Sequence, residues 1–169
     1  MYVPSLRTPR QHCLWRLGCT LLVILIVCSV FLPAGPVSAA PGGVCRFKDI
    51  WPGDGSSNPQ YLTNVNGTLF FIADNGATGY ELWKSDCTVA GTMLVKDIRS
   101  GATSSDLYSL TAVNDTLFFT TDDGSTGGEL WKSDGSEAGT VLVKDIRPGP
   151  DSSWPESLIN ANGTLFFNA

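Results

Sequence analysis

The chain repeats itself every 48 residues, and this periodicity limits its possible folds more than any other feature. KDI occurs at Lys48, Lys96 and Lys144, TLFF at Thr68, Thr116 and Thr164, and ELWKSD at Glu81 and Glu129. Aligned without a gap, residues 48–95 and 96–143 agree at 29 of 48 positions, and residues 144–169 agree with 96–121 at 14 of 26. A period of this length marks an array of small supersecondary units that bury their apolar faces against one another. The organisation is therefore a lead-in strand at 40–47, repeats at 48–95 and 96–143, and a truncated third copy at 144–169.

Local signals place four strands in each copy. Tyr61–Val65 and Thr68–Ala73 flank the dipeptide Asn66-Gly67, whose residues favour the positive φ angles of a type I′ hairpin turn. The stretch DNGATG then turns into Tyr80–Ser85, and DCTVAG turns into Thr92–Ile98. Longer loops between copies carry Pro-Gly turns at WPGDGSSNP and RPGPDSSWP. The runs LFF, MLV and ELW put bulky apolar groups on both faces of their strands, so both faces of each sheet are expected to be covered. A small four-stranded sheet walled on each side by copies of itself is a propeller blade. The expected fold class is all-β, with tandem four-stranded antiparallel units forming an incomplete β-propeller-like array of about 2.7 blades. A sandwich of hairpins is the alternative.

Strand alternation directs Leu82 and Lys84 to one face and Glu81, Trp83 and Ser85 to the other. Trp83 and Trp131 then suit packing between blades, against an alternative role as an aromatic platform for a ligand. Asp86 and Asp134 stand where the chain turns and suit bonds to amides two residues on.

The strings ELWKSDCTVAGT and ELWKSDGSEAGT, followed by LVKDI, SS and NGTLFF or NDTLFF, resemble the ELWxxDGT repeat proteins of exported bacterial polypeptides. The resemblance implies tandem repeats, secretion and a propeller-like fold, and it carries over no catalytic residues. Two positions depart from the pattern. Cys87 replaces the motif glycine kept at Gly135, and Ser136 stands where the motif has threonine. The cysteine raises a question of backbone geometry, because a glycine at that place supplies a positive φ that cysteine adopts reluctantly.

Ahead of the repeats, Arg7, Arg10 and Arg16 precede an uncharged apolar run from Leu21 to Leu32 and then PAGPVSAAP. This is the pattern of a secretory signal at residues 1–39, with cleavage after Ala39. The run is short of the roughly 20 residues of a permanent span, and an uncleaved anchor is the alternative. Without the leader the chain loses its one histidine, His12, and keeps eight basic against sixteen acidic residues. That balance disfavours nucleic acid or an anionic membrane surface as partner. Two cysteines remain, Cys45 and Cys87, and an oxidising compartment would allow them to pair.

Histidine-based triads and histidine metal sites are excluded from the secreted chain, and two cysteines do not make a structural zinc site. No catalytic, cofactor-binding or metal-ligating residue is assigned. The acid pairs Asp74/Glu81 and Asp122/Glu129 flank glycine-rich turns; solvated turn residues are the expectation and calcium ligands the alternative. Asn66, Asn114 and Asn162 satisfy the N-glycosylation pattern, but their place in every hairpin turn accounts for all three. The expected function is that of a secreted or cell-surface module, noncatalytic, offering a scaffold or binding surface to an extracellular protein or glycan. A carboxylate-dependent hydrolase or lyase acting on polysaccharide is the alternative. Self-association, or continuation in a longer chain, is expected of an array with an unpaired terminal edge.

Overall fold

A computed structural model describes residues 48–169; the expected signal at 1–39, the expected lead-in strand at 40–47 and Cys45 lie outside the described residues. The described chain is all-β. Strands β1 (Gln60–Val65), β2 (Thr68–Asp74), β3 (Tyr80–Ser85) and β4 (Met93–Lys96) form one antiparallel sheet in sequence order. Strands β5 (Tyr108–Val113), β6 (Thr116–Asp122), β7 (Gly128–Ser133) and β8 (Val141–Lys144) repeat it, and β9 (Glu156–Ala161) pairs with β10 (Thr164–Asn168) in a two-stranded third sheet. The sheets follow one another in tandem without closing into a ring, as an incomplete propeller-like array.

The hairpin turns are built as their dipeptides dictate. Val65 pairs with Thr68 across Asn66 (φ 46°) and Gly67 (φ 87°), and the same signs recur at Asn162 (φ 53°) and Gly163 (φ 82°). In the first and third repeats an asparagine two residues before the turn caps it, with Asn64 Oδ1 accepting from Gly67 N at 2.8 Å and Asn160 Oδ1 from Gly163 N at 2.9 Å, whereas the second repeat has Ala112 there.

Each first strand also carries a bulge that composition did not announce. Gln60 faces Ile72 while Thr63 faces Phe70, so three steps on β1 match two on β2, and the extra residue Tyr61 has φ 52°. Ser109 (φ 56°) and Ser157 (φ 55°) repeat the feature. The bulge adds local twist to this edge strand. Thr63 Oγ1 beyond it donates to Leu110 O of the next sheet at 3.4 Å, and Thr111 Oγ1 to Leu158 O at 3.2 Å. The fourth strand is shorter than expected, ending at Lys96 instead of Ile98, because the backbone amide of Ile98 turns inward to a buried carboxylate described below.

The core lies between sheets. Phe70, Ile72, Leu82 and Val95 from the first sheet and Leu117, Phe119 and Trp131 from the second belong to one buried apolar cluster, joined by Ile98 and Leu107 from the connecting segment. Phe71, Ala73 and Trp83, on the opposite face of the first sheet, pack with Ile50 of the segment ahead of β1. This is the two-faced burial expected from LFF and ELW. Trp83 and Trp131 are only 5% and 6% exposed, so neither offers a platform to a ligand.

Candidate functional site

The residues that recur in the motif converge on the seams where one sheet passes to the next. Glu81 and Glu129 head the third strand of their sheets with no exposed surface. Glu129 Oε2 accepts from Ile146 N at 3.1 Å and Ser153 Oγ at 2.6 Å, and its Oε1 accepts from Ser153 N at 3.0 Å. Glu81 likewise accepts from Ile98 N at 3.0 Å and from Ser105 Oγ. Each carboxylate therefore ties the chain leaving its own sheet to the loop that starts the next. Burial pushes the Glu81 carboxyl up to about 7, with the negative charge of Asp97 acting in the same direction and the bonds from Ser105 and Ile98 opposing it.

The paired serines of the linker complete the latch. Ser104 Oγ accepts from Tyr80 N at 3.1 Å and Ser152 Oγ from Gly128 N at 2.8 Å, while Ser105 N and Ser153 N donate to the carbonyls of Tyr80 and Gly128 at 3.2 Å. The Ser-Ser dipeptide was visible as a recurring string, but which loop end it serves depends on the fold.

Lysines peg neighbouring units together. Lys84 Nζ donates to Gly135 O at 2.7 Å, Lys48 Nζ to Thr92 O at 2.6 Å and Lys96 Nζ to Thr140 O at 2.9 Å. Each crosses about one repeat length, so the lysines of ELWKSD and KDI hold the next unit's third and fourth strands at their joining turn. Their signal in the sequence was recurrence alone.

That turn is an aspartate loop. Asp86 Oδ1 accepts from Thr88 N at 2.9 Å and Thr88 Oγ1 at 2.7 Å; Asp134 Oδ1 accepts from Ser136 N at 2.8 Å and Ser136 Oγ at 2.7 Å. These bonds, the hydroxyl first, hold both carboxyls below the usual range. Serine thus does at position 136 what threonine does at 88. Gly91 and Gly139 are fixed by the same loop, since a Cβ there would fall 1.9 and 2.1 Å from the aspartate oxygens. Cys87 adopts φ 67° where Gly135 has 87°, so the cysteine holds the left-handed conformation that the motif glycine reaches without strain. Cys87 is exposed, and its pairing with Cys45 lies outside the described residues.

The acid pairs Asp74/Glu81 and Asp122/Glu129 do not converge as calcium ligands would. Asp74 Oδ1 and Asp122 Oδ1 accept from Gly76 N and Gly124 N at 2.7 Å inside their own turns, whereas Glu81 and Glu129 face the buried seam. Asp123 Oδ1 caps Ser125 and Thr126, and Asp122 meets Arg99 at 3.6 Å. Among the described residues no three His, Cys, Asp or Glu side chains are grouped to hold an ion.

A cleft of about 320 Å³ opens between the first two sheets, lined by Val65, Asn66, Thr68, Phe70, Lys84, Asp115, Asp134 and Gly135. Its carboxylates are engaged, Asp115 by Asn66 Nδ2 from the preceding sheet's hairpin turn and Asp134 by Ser136 within its own turn. Outside the seams, the linker aromatics come forward. Trp154 is 40% exposed, lies over Gly128 and packs against Tyr108 with ring centroids 5.6 Å apart. Trp51 covers Gly55 and Gly76 in the same region of the first repeat.

Fold and seam together define an open array of propeller-like blades in which the recurring polar residues act as fasteners. Comparison of the chain with protein-family models, curated proteins and solved structures found no match.

Proposed function

We propose that the chain is an exported, noncatalytic repeat module of the ELWxxDGT type whose blades carry a binding surface for an extracellular protein or glycan. The observation that supports this reading is the division of labour between positions. The recurring groups Glu81, Glu129, Asp86, Asp134, Lys84 and the linker serines are consumed by bonds within the array. Linker positions that change from copy to copy lie outward, such as Asn58, Asp106 and Trp154, all exposed and all at positive φ. A surface that varies on a constant frame is what recognition uses. Trp154, 40% exposed and braced by Tyr108, supplies an aromatic surface that sugars and peptide side chains pack against.

Polysaccharide cleavage needs two accessible carboxyls, one of them a proton donor near neutral pH. The carboxyl raised to about 7, Glu81, has no exposed surface, and Asp134 in the cleft is shifted the other way. A glycan array run beside a polysaccharide hydrolysis and elimination screen tests the reading. Saturable binding that Trp154→Ala weakens, with no product formed, supports it; sugar release or unsaturated product overturns it.

A further inference from the structure

At the seam between the second and third sheets, the linker sets an exposed indole beside two carboxylates that the array does not use. Trp154 is 40% exposed, and its ring meets Tyr108 with centroids 5.6 Å apart and planes tilted by 33°. The indole has this berth because position 128 is glycine, where a Cβ would fall 2.3 Å from the ring. The first sheet differs. Tyr80 stands at that place with a ring of its own, its hydroxyl accepting from Asn58 Nδ2 at 3.2 Å. Exposure belongs to the position of Trp154, since Asp106, its match in the middle copy with a sheet before and after it, is exposed as well. Asp106 and Glu156 flank the aromatic pair, the one two residues before Tyr108 and the other two residues after Trp154, and both are exposed. Neither carboxylate has a hydrogen-bond or ion-pair partner among the described residues. Both act on the Tyr108 phenol, which burial first, and then the charges of Glu156 and Asp106, push up to about 12. The linker arginines are already matched, Arg99 to Asp122 at 3.6 Å and Arg147 to Asp151 at 3.0 Å.

We propose that this seam receives an arginine side chain from a basic segment of an extracellular protein, its guanidinium stacked on Trp154 and bonded by Asp106 and Glu156. An exposed π face beside uncompensated negative charge attracts a cation. Guanidinium suits it best, because the flat group stacks on an indole and forks onto carboxylates. Sugar hydroxyls would leave both charges unanswered. The inference rests on the binding-surface reading and narrows its partner from protein or glycan to a basic peptide.

The test is titration of the full chain with a short peptide of alternating arginine and glycine, followed by calorimetry and by the indole N–H resonances of labelled protein. The expected result is saturable binding below about 1 mM that shifts the Trp154 indole and is lost when citrulline, the uncharged isostere, replaces arginine. Trp154→Ala and Gly128→Ala, the second displacing the ring without removing it, should each weaken binding about five- to tenfold. Asp106→Asn should weaken it about two- to fivefold; asparagine already holds the same positive φ at the matching Asn58, so the fold is kept. Asp54→Asn, at an exposed acid of the first repeat, should leave binding unchanged. Equal binding of the citrulline peptide, or equal weakening by Asp54→Asn and Asp106→Asn, would overturn the proposal, the latter by showing attraction to net charge alone. A glycan that binds through Trp154 while the arginine peptide does not would also overturn it and leave the binding-surface reading standing, whereas failure of both ligands would overturn both.

Discussion

Replacing Glu129 should reveal its role as a fastener. Its carboxylate gathers three donors, Ile146 N at 3.1 Å, Ser153 N at 3.0 Å and Ser153 Oγ at 2.6 Å, and has no exposed surface. A bond to a charged group contributes about 1.5–3 kcal/mol, but Ile146 and Ser153 are only half-buried, so water can partly replace what is lost; about 1 kcal/mol for each donor is the working figure. Glu129→Ala should then cost about 3 kcal/mol. Glu129→Gln is the sharper variant. An amide presents one acceptor and one donor group, so whichever way it turns, a backbone N–H of Ile146 or Ser153 faces another donor, at a cost of about 1–2 kcal/mol. Ser153→Ala removes only the hydroxyl bond and should cost about 1 kcal/mol. For a domain of this size each kcal/mol lowers Tm by roughly 3–5 °C, so the three variants order as Ala, then Gln, then the serine change, with Glu129→Ala down by roughly 10–15 °C. Circular dichroism melts and urea titrations read this directly. If Glu129 were instead a strained functional group, its replacement would leave stability unchanged or raise it, and that outcome would refute the fastener reasoning.

Trp131→Ala should cost about 3–5 kcal/mol, because the ring is 6% exposed in the cluster that joins two sheets. Trp131→Phe should be far milder, since the indole N–H is buried without a hydrogen-bond partner among the described residues and its removal sacrifices none; urea titration separates the two. Cys87→Gly should stabilise by about 0.5–1 kcal/mol by relieving the positive φ, whereas Gly135→Ala should destabilise by about 1–2 kcal/mol, because it adds that strain and brings a Cβ to 3.1 Å from Phe70. Stability should also fall as pH rises from about 4.5 to about 7, the interval between the ordinary carboxyl value and that of Glu81, because the folded state holds the Glu81 proton that the unfolded chain releases. Glu81→Gln should flatten that slope in melts run across the interval.

Much of the architecture was written in the sequence because the repeat shows each instruction more than once. Strand order, hairpin turns at the asparagines and double-faced burial follow from local pattern, and the structure keeps them. The bulges at Tyr61, Ser109 and Ser157 were hidden, since no glycine marks a positive φ there. The role of Glu81 and Glu129 was equally concealed. Their i, i+2 alternation put them on the tryptophan face, but nothing local says that the donors arrive from residues 17 and 24 positions later. Asp74 and Glu81 lie on paired strands, with Ala73 opposite Glu81 and Asp74 opposite Tyr80, but strand alternation turns the glutamate into the seam while the aspartate bonds within its own turn.

The central claim is that successive repeats stack as adjacent sheets, with each motif turn set against the preceding sheet. The contact between Gly135 and Phe70 tests it most directly, because these residues belong to different repeats and a Cβ on Gly135 would lie 3.1 Å from Phe70 Cζ. Nuclear Overhauser measurements on labelled protein should give a strong cross-peak between the Gly135 α-protons and the Phe70 ring. Cross-peaks from Gly135 confined to its own sheet, with the Phe70 ring contacting another face, would contradict the stacked array and leave the hairpin sandwich in its place.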